Sequence, residues 1–253
     1  MLALVLLAPA IAWEPPPFDP QRSTRRFRLV GSDLFDVLAL PALLQALHER
    51  APRVDLAVLP APGASMADRL ETGELDLAVV PVLDHVAEDV ESSLGELRQR
   101  TLFRDQLRCY FRADHPRLAE REGIDLELYC ELAHLLISPG GEGPGLIDDA
   151  LEEHGRSRRI ALRLPTFASA PAITAQSDLV LTAPSSLAAV LNVGETLRSL
   201  PCPLPVGGHA VTIVWHPRFN EDQGHRWLRE LLLEVTQSLP LRGARSRKVT
   251  SGA

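Results

Sequence analysis

The chain has 253 residues, of which 45% are hydrophobic and 23% are charged, and its formal net charge at pH 7 is -7. This composition is typical of a soluble globular protein with enough chain for one or two domains. The acidic balance disfavours nucleic-acid binding by these residues, because duplex binding relies on clustered lysine and arginine side chains that neutralise phosphates.

The first twelve residues are apolar and end in Ala10-Ile-Ala12, a pattern similar to a signal-peptide cleavage site. They carry no preceding lysine or arginine, which a secretory signal normally has, and they are too few to span a bilayer as a helix. We interpret them as the tail of a longer helix, followed by a proline-rich connector over Glu14–Pro20. No membrane association is expected.

The chain begins its folded part with a strand over Phe27–Val30, where apolar and basic residues alternate. Ser32 or Asp33 then caps a long helix over 34–50, whose leucines fall at helical spacing. Two further strands over 54–59 and 75–80, with a short helix over 65–71 between them, complete a β-α-β-α-β pattern. Such a pattern indicates an α/β domain with a parallel sheet.

The second half of the sequence repeats this plan. The acidic stretch 84–95 is predicted as a loop or weak helix. Strands are predicted at 107–111, 134–137, 160–164, 178–182 and 210–215, and helices at 124–131, 146–154, 172–176, 187–191 and 227–239. The strands 107–111 and 210–215 both run into a His-Pro pair, and we interpret them as two crossover strands that join two α/β subdomains.

The predicted organisation has four parts. Residues 1–24 are a linker-helix remnant and connector, and residues 241–253 are a basic disordered tail. Subdomain I comprises 25–104 and 206–240, and subdomain II comprises 105–205.

Ligands of open α/β sheets bind beyond the carboxyl ends of the strands, near helix N-termini. In this sequence those places are five turns of small or polar residues, which can face one cleft between the subdomains. The candidate ligand-binding residues in or beside these turns are Ser32, Asp33, Leu34, Pro81, Ser138, Gly140, Gly141, Pro165, Phe167, Thr182 and Pro184.

The sequence contains little that indicates a catalytic or cofactor site. The glycine-rich loop 138–145 lacks the Gly-Lys-Ser/Thr ending of a P-loop and the spacing of a dinucleotide fold. There is no Gly-x-Ser-x-Gly elbow, and the eight histidines and three cysteines show no metal-ligand spacing. The odd cysteine number fits a reducing compartment. We therefore expect no metal, no cofactor and no enzymatic activity.

Six stretches of the sequence resemble the effector-binding domain of LysR-type transcriptional regulators. The most specific is Leu70-Glu-Thr-Gly-Glu-Leu-Asp-Leu-Ala78. The others are Phe27–Asp33, Leu40–Leu44, Ala51–Asp55, Phe111–Pro116 and Trp215–Arg218. In addition, 134–145 and 164–171 look like the branch of the family that responds to aromatic acids and related molecules. The resemblance covers residues 14–240.

The resemblance implies the type 2 periplasmic-binding-protein fold, in which two α/β subdomains enclose an effector cleft. It implies a cytoplasmic sensor and a homodimer formed through the helix 34–50 and the strand 54–59. The family normally begins with a winged helix-turn-helix and a linker helix, so DNA binding is expected only if that segment is restored.

The expected effector is a small molecule, an aromatic compound or an organic acid. Ser32 and the N–H groups of Asp33 and Leu34 would bind its carboxylate, and Ser138, Gly140 and Gly141 would donate from across the cleft. Pro165 and Phe167 would pack on its apolar face, and Thr182 would add a hydroxyl.

Two alternatives share this fold. One is an exported solute-binding protein of a transporter, which an N-terminus cleaved at Trp13 would favour. The other is a deaminase-like or lyase-like enzyme, which the lack of a clustered acid–base set disfavours.

Overall fold

The computed structural model describes residues 17–60, 65–83, 95–189 and 195–239. Its first elements are β1 (Arg26–Val30), α1 (Asp33–Arg50), β2 (Asp55–Leu59), α2 (Met66–Thr72), β3 (Leu77–Leu83) and β4 (Arg98–Asp105). Next come β5 (Leu107–Arg112), α3 (Leu126–Glu131), β6 (Ala133–Ile137), α4 (Leu146–Glu153), β7 (Arg159–Leu164), α5 (Ala170–Ala175) and β8 (Leu179–Pro184). A 3₁₀ helix (Ser185–Ala189), β9 (Leu197–Pro201), β10 (His209–Trp215), a second 3₁₀ helix (Pro217–Phe219) and α6 (Gln223–Ser238) complete the described part of the chain.

The strands form two five-stranded sheets, one in each subdomain. The order is β2-β1-β3-β10-β4 in the first sheet and β7-β6-β8-β5-β9 in the second. In each sheet three strands are parallel, and a fourth strand, β10 or β5, pairs antiparallel with two neighbours. The chain passes between the sheets twice, after β4 and after β9. This arrangement is the two-subdomain, type 2 periplasmic-binding-protein-like fold, which confirms the predicted fold class.

Several predicted elements differ from the structure. The strands β4 and β9 were not predicted, because β4 is rich in arginine and both strands lie at sheet edges, where an alternating apolar pattern is not required. The predicted helix 187–191 is instead the 3₁₀ helix Ser185–Ala189. The predictions for residues 84–94, for the N-terminal segment up to residue 16 and for the tail from 240 lie outside the described residues.

Helix α1 packs on both subdomains. Phe35, Ala39, Leu43 and Leu47 join the core of the first sheet, which α6 also covers. Leu34 and Leu38, near its N-terminus, instead join a core formed by residues of the second subdomain, among them Tyr110, Leu181 and Leu187. The two core stripes on one helix fix the position of its N-terminus between the sheets.

A buried carboxylate fixes the first crossing between the sheets. Asp105, at the end of β4, is only 6% exposed. Its oxygens accept hydrogen bonds from the backbone N–H groups of Gln106 (2.7 Å) and Ser186 (3.0 Å) and from the hydroxyl of Ser185. Hydrogen bonds to a charged group contribute about 1.5–3 kcal/mol. Asp105 therefore ties the end of the first sheet to the 3₁₀ helix of the second subdomain.

A buried imidazole in the second subdomain makes stability depend on pH. His134 is fully buried and Nε2–H donates to the carbonyl oxygen of Tyr129 at 2.8 Å. Burial lowers the pKa of His134 to about 4. Burial also lowers the pKa of His115 and of His225.

We predict that the free energy of unfolding falls as the pH is lowered from about 6.5 to about 4. Below pH ~6.5 the unfolded chain binds a proton at His134 that the folded chain does not, and the full effect is up to about 3 kcal/mol. His134→Gln should remove this part of the dependence, measured by urea unfolding at several pH values. His154→Gln, at an exposed position, is the control and should keep the pH dependence of the free energy of unfolding seen in the wild type. The same pH dependence in His134→Gln as in the wild type would contradict the prediction.

Candidate functional site: the cleft between the subdomains

Two adjoining cavities lie where the subdomains meet. The first has a volume of about 260 Å³ and the second of about 560 Å³. Both are lined by Ser32, Asp33, Val79, Val80, Pro81 and Pro139. Because Pro139 belongs to the second subdomain and the other five to the first, each cavity spans the cleft.

The first cavity is mainly apolar. Phe35, Leu38 and Phe103 line it from the first subdomain, and Ile137 and Phe167 line it from the second. Rings and branched aliphatic side chains on both sides suit a flat apolar ligand, and a few polar groups then fix its orientation.

The structure places seven of the eleven candidate residues around these cavities. Six line the first cavity, namely Ser32, Asp33, Leu34, Pro81, Phe167 and Pro184. Pro165 lines the second cavity together with its neighbour Thr166.

The glycine-rich loop after β6 uses some of its donors for hydrogen bonds within the second subdomain. The N–H of Ser138 donates to the carbonyl oxygen of Leu164, and the N–H of Gly141 donates to the carbonyl oxygen of Ser138, both at 2.8 Å. The hydroxyl of Ser138 donates to the carbonyl oxygen of Glu142. Gly140 and Gly141 are exposed and line neither cavity. Pro139 is the residue of this loop that lines the cavities, and the role of Ser138, Gly140 and Gly141 as donors stays a prediction.

Thr182 lies in a separate polar cluster within the second subdomain. Its hydroxyl is 2.7 Å from the hydroxyl of Tyr129 and 3.7 Å from Sγ of Cys109. The guanidinium of Arg158, which also pairs with Asp148, donates to the same tyrosine hydroxyl. Burial raises the pKa of Tyr129, so its hydroxyl stays protonated. Thr182 belongs to this internal network and lines neither cavity, and its role as a ligand hydroxyl stays a prediction.

Several residues that line the cavities were not predicted from the sequence. Phe103 lies on the unpredicted strand β4, and His209 and Val211 lie at the start of β10. Leu38 and Asp36 lie on the predicted helix but were not selected, because helical spacing alone does not reveal which face meets the second subdomain. His209 directly precedes the predicted strand 210–215, which was the one available signal for it.

The N-terminus of α1 lies at the centre of the cleft. Ser32 caps the helix, because its hydroxyl accepts from the N–H of Phe35 at 3.3 Å and its carbonyl oxygen from the N–H of Asp36 at 3.2 Å. The N–H groups of Asp33 and Leu34 come first in the helix and have no carbonyl partner within it. They carry the partial positive charge of the helix end.

Asp33 links the subdomains across the cleft. Its carboxylate accepts a hydrogen bond from the backbone N–H of Phe167, which precedes α5. One turn along α1, Asp36 lines the second cavity. Burial and the neighbouring Asp33 carboxylate raise the pKa of Asp36. The cleft therefore holds two carboxylates on adjacent turns of helix.

Residues 20–237 match the family described as LysR substrate binding domain. The chain belongs to this family, which supplies the effector-binding domains of LysR-type transcriptional regulators. The sequence-based recognition of a LysR-type effector domain is thereby confirmed.

The chain is similar to several transcriptional regulators. It is 32% identical over 222 residues to the HTH-type transcriptional activator NagR of Ralstonia sp., which covers 86% of this chain and 69% of NagR. It is 29% identical over 218 residues to NahR of Pseudomonas putida, with coverage of 86% and 69%. The regulatory domain of MexT, a transcriptional activator in Pseudomonas aeruginosa, superposes with a TM-score of 0.68 at 27% identity and covers 84% of this chain and 98% of that domain.

These relatives favour a regulator over the two alternatives, since they are named as transcriptional activators and not as transport proteins or enzymes. In the described ranges no helix is both long and apolar enough to cross a membrane. The same residues contain no group of three or more histidine, cysteine or acidic side chains arranged to hold a metal ion.

We predict that Asp33→Ala frees the backbone N–H of Phe167. Its hydrogen exchange should become at least about tenfold faster, because the variant lacks the acceptor that protects it in the folded state. Exchange followed by ¹H–¹⁵N spectra measures this directly.

Asp36→Ala is the matched control, since it removes a carboxylate from the same helix and keeps the acceptor. The N–H of Ser138, which is bonded within the second subdomain, serves as internal reference. Equal hydrogen-exchange rates of the Phe167 N–H in wild type and Asp33→Ala would contradict the prediction that the Asp33 carboxylate protects this N–H.

Proposed function

We propose that this domain binds a small organic effector in the cleft at the N-terminus of α1 and thereby controls a LysR-type regulator. The observation that carries the proposal is the pair of cavities lined from both subdomains, with an open helix N-terminus beside apolar walls. A ligand that contacts both subdomains binds the closed arrangement better than the open one. It then shifts the equilibrium between the open and closed arrangements by the difference in its affinity for the two.

The proposed effector has a flat apolar body in the first cavity, between Phe35, Phe103 and Phe167. Its polar end meets the N–H groups of Asp33 and Leu34. This end is either the carboxylate that the sequence predicts for an organic acid or an uncharged group that forms hydrogen bonds, because both can accept from amides.

The moving parts in this proposal are subdomain I, 25–104 with 206–240, and subdomain II, 105–205. Asp105 lies at the boundary and is fixed to Ser185 and Ser186. It would act as a pivot, while the Asp33–Phe167 hydrogen bond on the cleft side opens and closes.

We also propose a cytoplasmic homodimer through α1 and β2. Strand β2 is an edge of the first sheet, so it has unpaired backbone groups along one side. Three large apolar side chains of this region are exposed: Val37, Leu44 and Val58, with Leu44 at 53%. A second copy would cover them, and a helix-turn-helix joined on the N-terminal side would supply DNA recognition.

We predict that Val211→Phe blocks the first cavity. Val211 is half-buried in its wall, so a larger ring there would occupy the ligand space. Aromatic acids and phenols that raise the melting temperature of the wild type by several degrees, as a ligand far above its Kd does, should no longer do so.

The control is Ala172→Phe, which adds the same ring at an exposed position of α5. Both variants should melt cooperatively without ligand. Compounds that stabilise Val211→Phe as much as the wild type would place their site elsewhere and contradict the proposed function.

We predict that Leu44→Glu converts the dimer to a monomer, because it places a charge in the apolar patch that the second copy would cover. Sedimentation velocity should show the dimer in wild type and its loss in the variant at micromolar concentration. Glu152→Leu, an exposed change on α4, should leave the dimer intact. A dimer that survives Leu44→Glu would contradict this interface.

A further inference from the structure

The cleft contains a buried acceptor that lacks a donor within the described residues. Asp33 lines both cavities and Asp36 lines the second. One oxygen of Asp36, Oδ1, is buried and has no hydrogen-bond partner within the described residues. Such an oxygen gains most from a ligand that donates a hydrogen bond.

In the described part of the chain, no lysine or arginine side chain lines a cavity beside these carboxylates. His209 lines the first cavity, but it already takes part in an interaction within the structure.

The two electrostatic effects on a bound anion are unequal. The positive end of a helix improves the affinity for an anion by at most about 30-fold. A like charge about 4 Å away, at the effective dielectric constant near a protein surface, lowers it by about 1000-fold. With Asp33 beside the helix N-terminus, repulsion exceeds attraction for a carboxylate ligand.

A cationic ligand fits less well than an uncharged one. The Asp33 carboxylate already accepts the N–H of Phe167. The first cavity is walled mainly by rings, prolines and aliphatic side chains, so an ammonium group would lose its hydration without a full set of acceptors. A hydroxyl group loses less hydration and can both donate to a carboxylate and accept from a helix N–H.

We propose that the cleft selects an uncharged, hydroxyl-bearing aromatic effector over an organic anion. The hydroxyl donates to Asp33 or Asp36, and the ring packs between Phe35, Phe103 and Phe167. This inference rests on the proposed function, because it names the effector class of the same cleft.

Three probes that share a 4-methylphenyl ring test the selection: 4-methylphenol, 4-methylbenzoate and 4-methylbenzylamine. Their Kd values are measured at pH 7.5 by ligand-observed NMR titration of the whole chain. The wild type should bind 4-methylphenol at least about tenfold more tightly than either charged probe.

Substitution of the acids tests the cause. In the double variant Asp33→Asn with Asp36→Asn, the Kd for 4-methylbenzoate should fall at least about tenfold, and the preference for 4-methylphenol should disappear. Asp149→Asn removes an exposed carboxylate on α4 and should leave the preference of the wild type in place.

Four outcomes overturn the inference. They are tighter binding of 4-methylbenzoate, tighter binding of 4-methylbenzylamine, a preference that persists in the double variant, and binding of none of the probes. Tighter binding of a charged probe that Val211→Phe abolishes would leave the proposed function standing. Binding that Val211→Phe does not change would contradict the proposed function itself.

Discussion

The cleft depends on the packing of the first two turns of α1 against both subdomains. Leu34 and Leu38 contact the core of the second subdomain, whereas Phe35 and Ala39 belong to the core of the first. Burying a leucine or phenylalanine side chain stabilises the structure by about 1.5–3 kcal/mol. The N-terminus of α1, whose first N–H groups have no partner within the helix, is therefore held between the two sheets by side-chain packing. A small ligand beside this end contacts both subdomains at once.

Polar contacts divide the interface between the subdomains into a fixed part and a part that can open. Asp105 is buried and accepts three hydrogen bonds beside the chain crossing. Asp33 is partly exposed and makes a single bond across the cleft. A buried carboxylate with several donors is costly to disrupt, whereas a partly exposed bond is readily exchanged for water. We therefore expect the subdomains to move about a hinge at Asp105, while the hydrogen bond of Asp33 across the cleft breaks when the cleft opens.

The sequence predicts most of the fold because its parallel strands are short apolar runs followed by capped helices. Ser32 and the leucines after it are sufficient to place α1. The strand β4 is not predictable in this way, since three of its eight residues are arginines and its apolar residues Leu102 and Phe103 are adjacent and do not alternate. The same limit hides Phe103. The turns of the cleft were found from their position after strands, but local sequence does not show which N–H groups the loop 138–145 uses internally, nor that Thr182 faces Tyr129.

We propose that the effector site lies between the N-terminus of α1 and the loop before α5. A ¹H–¹⁵N titration of the domain with 4-methylphenol tests it most directly, because amides report contact residue by residue. Binding at this site should shift the resonances of Leu34 and Phe167, on opposite sides of the cleft, together along one binding curve. Shifts confined to one subdomain, or to α6 and β2 with Leu34 and Phe167 unchanged, would contradict it.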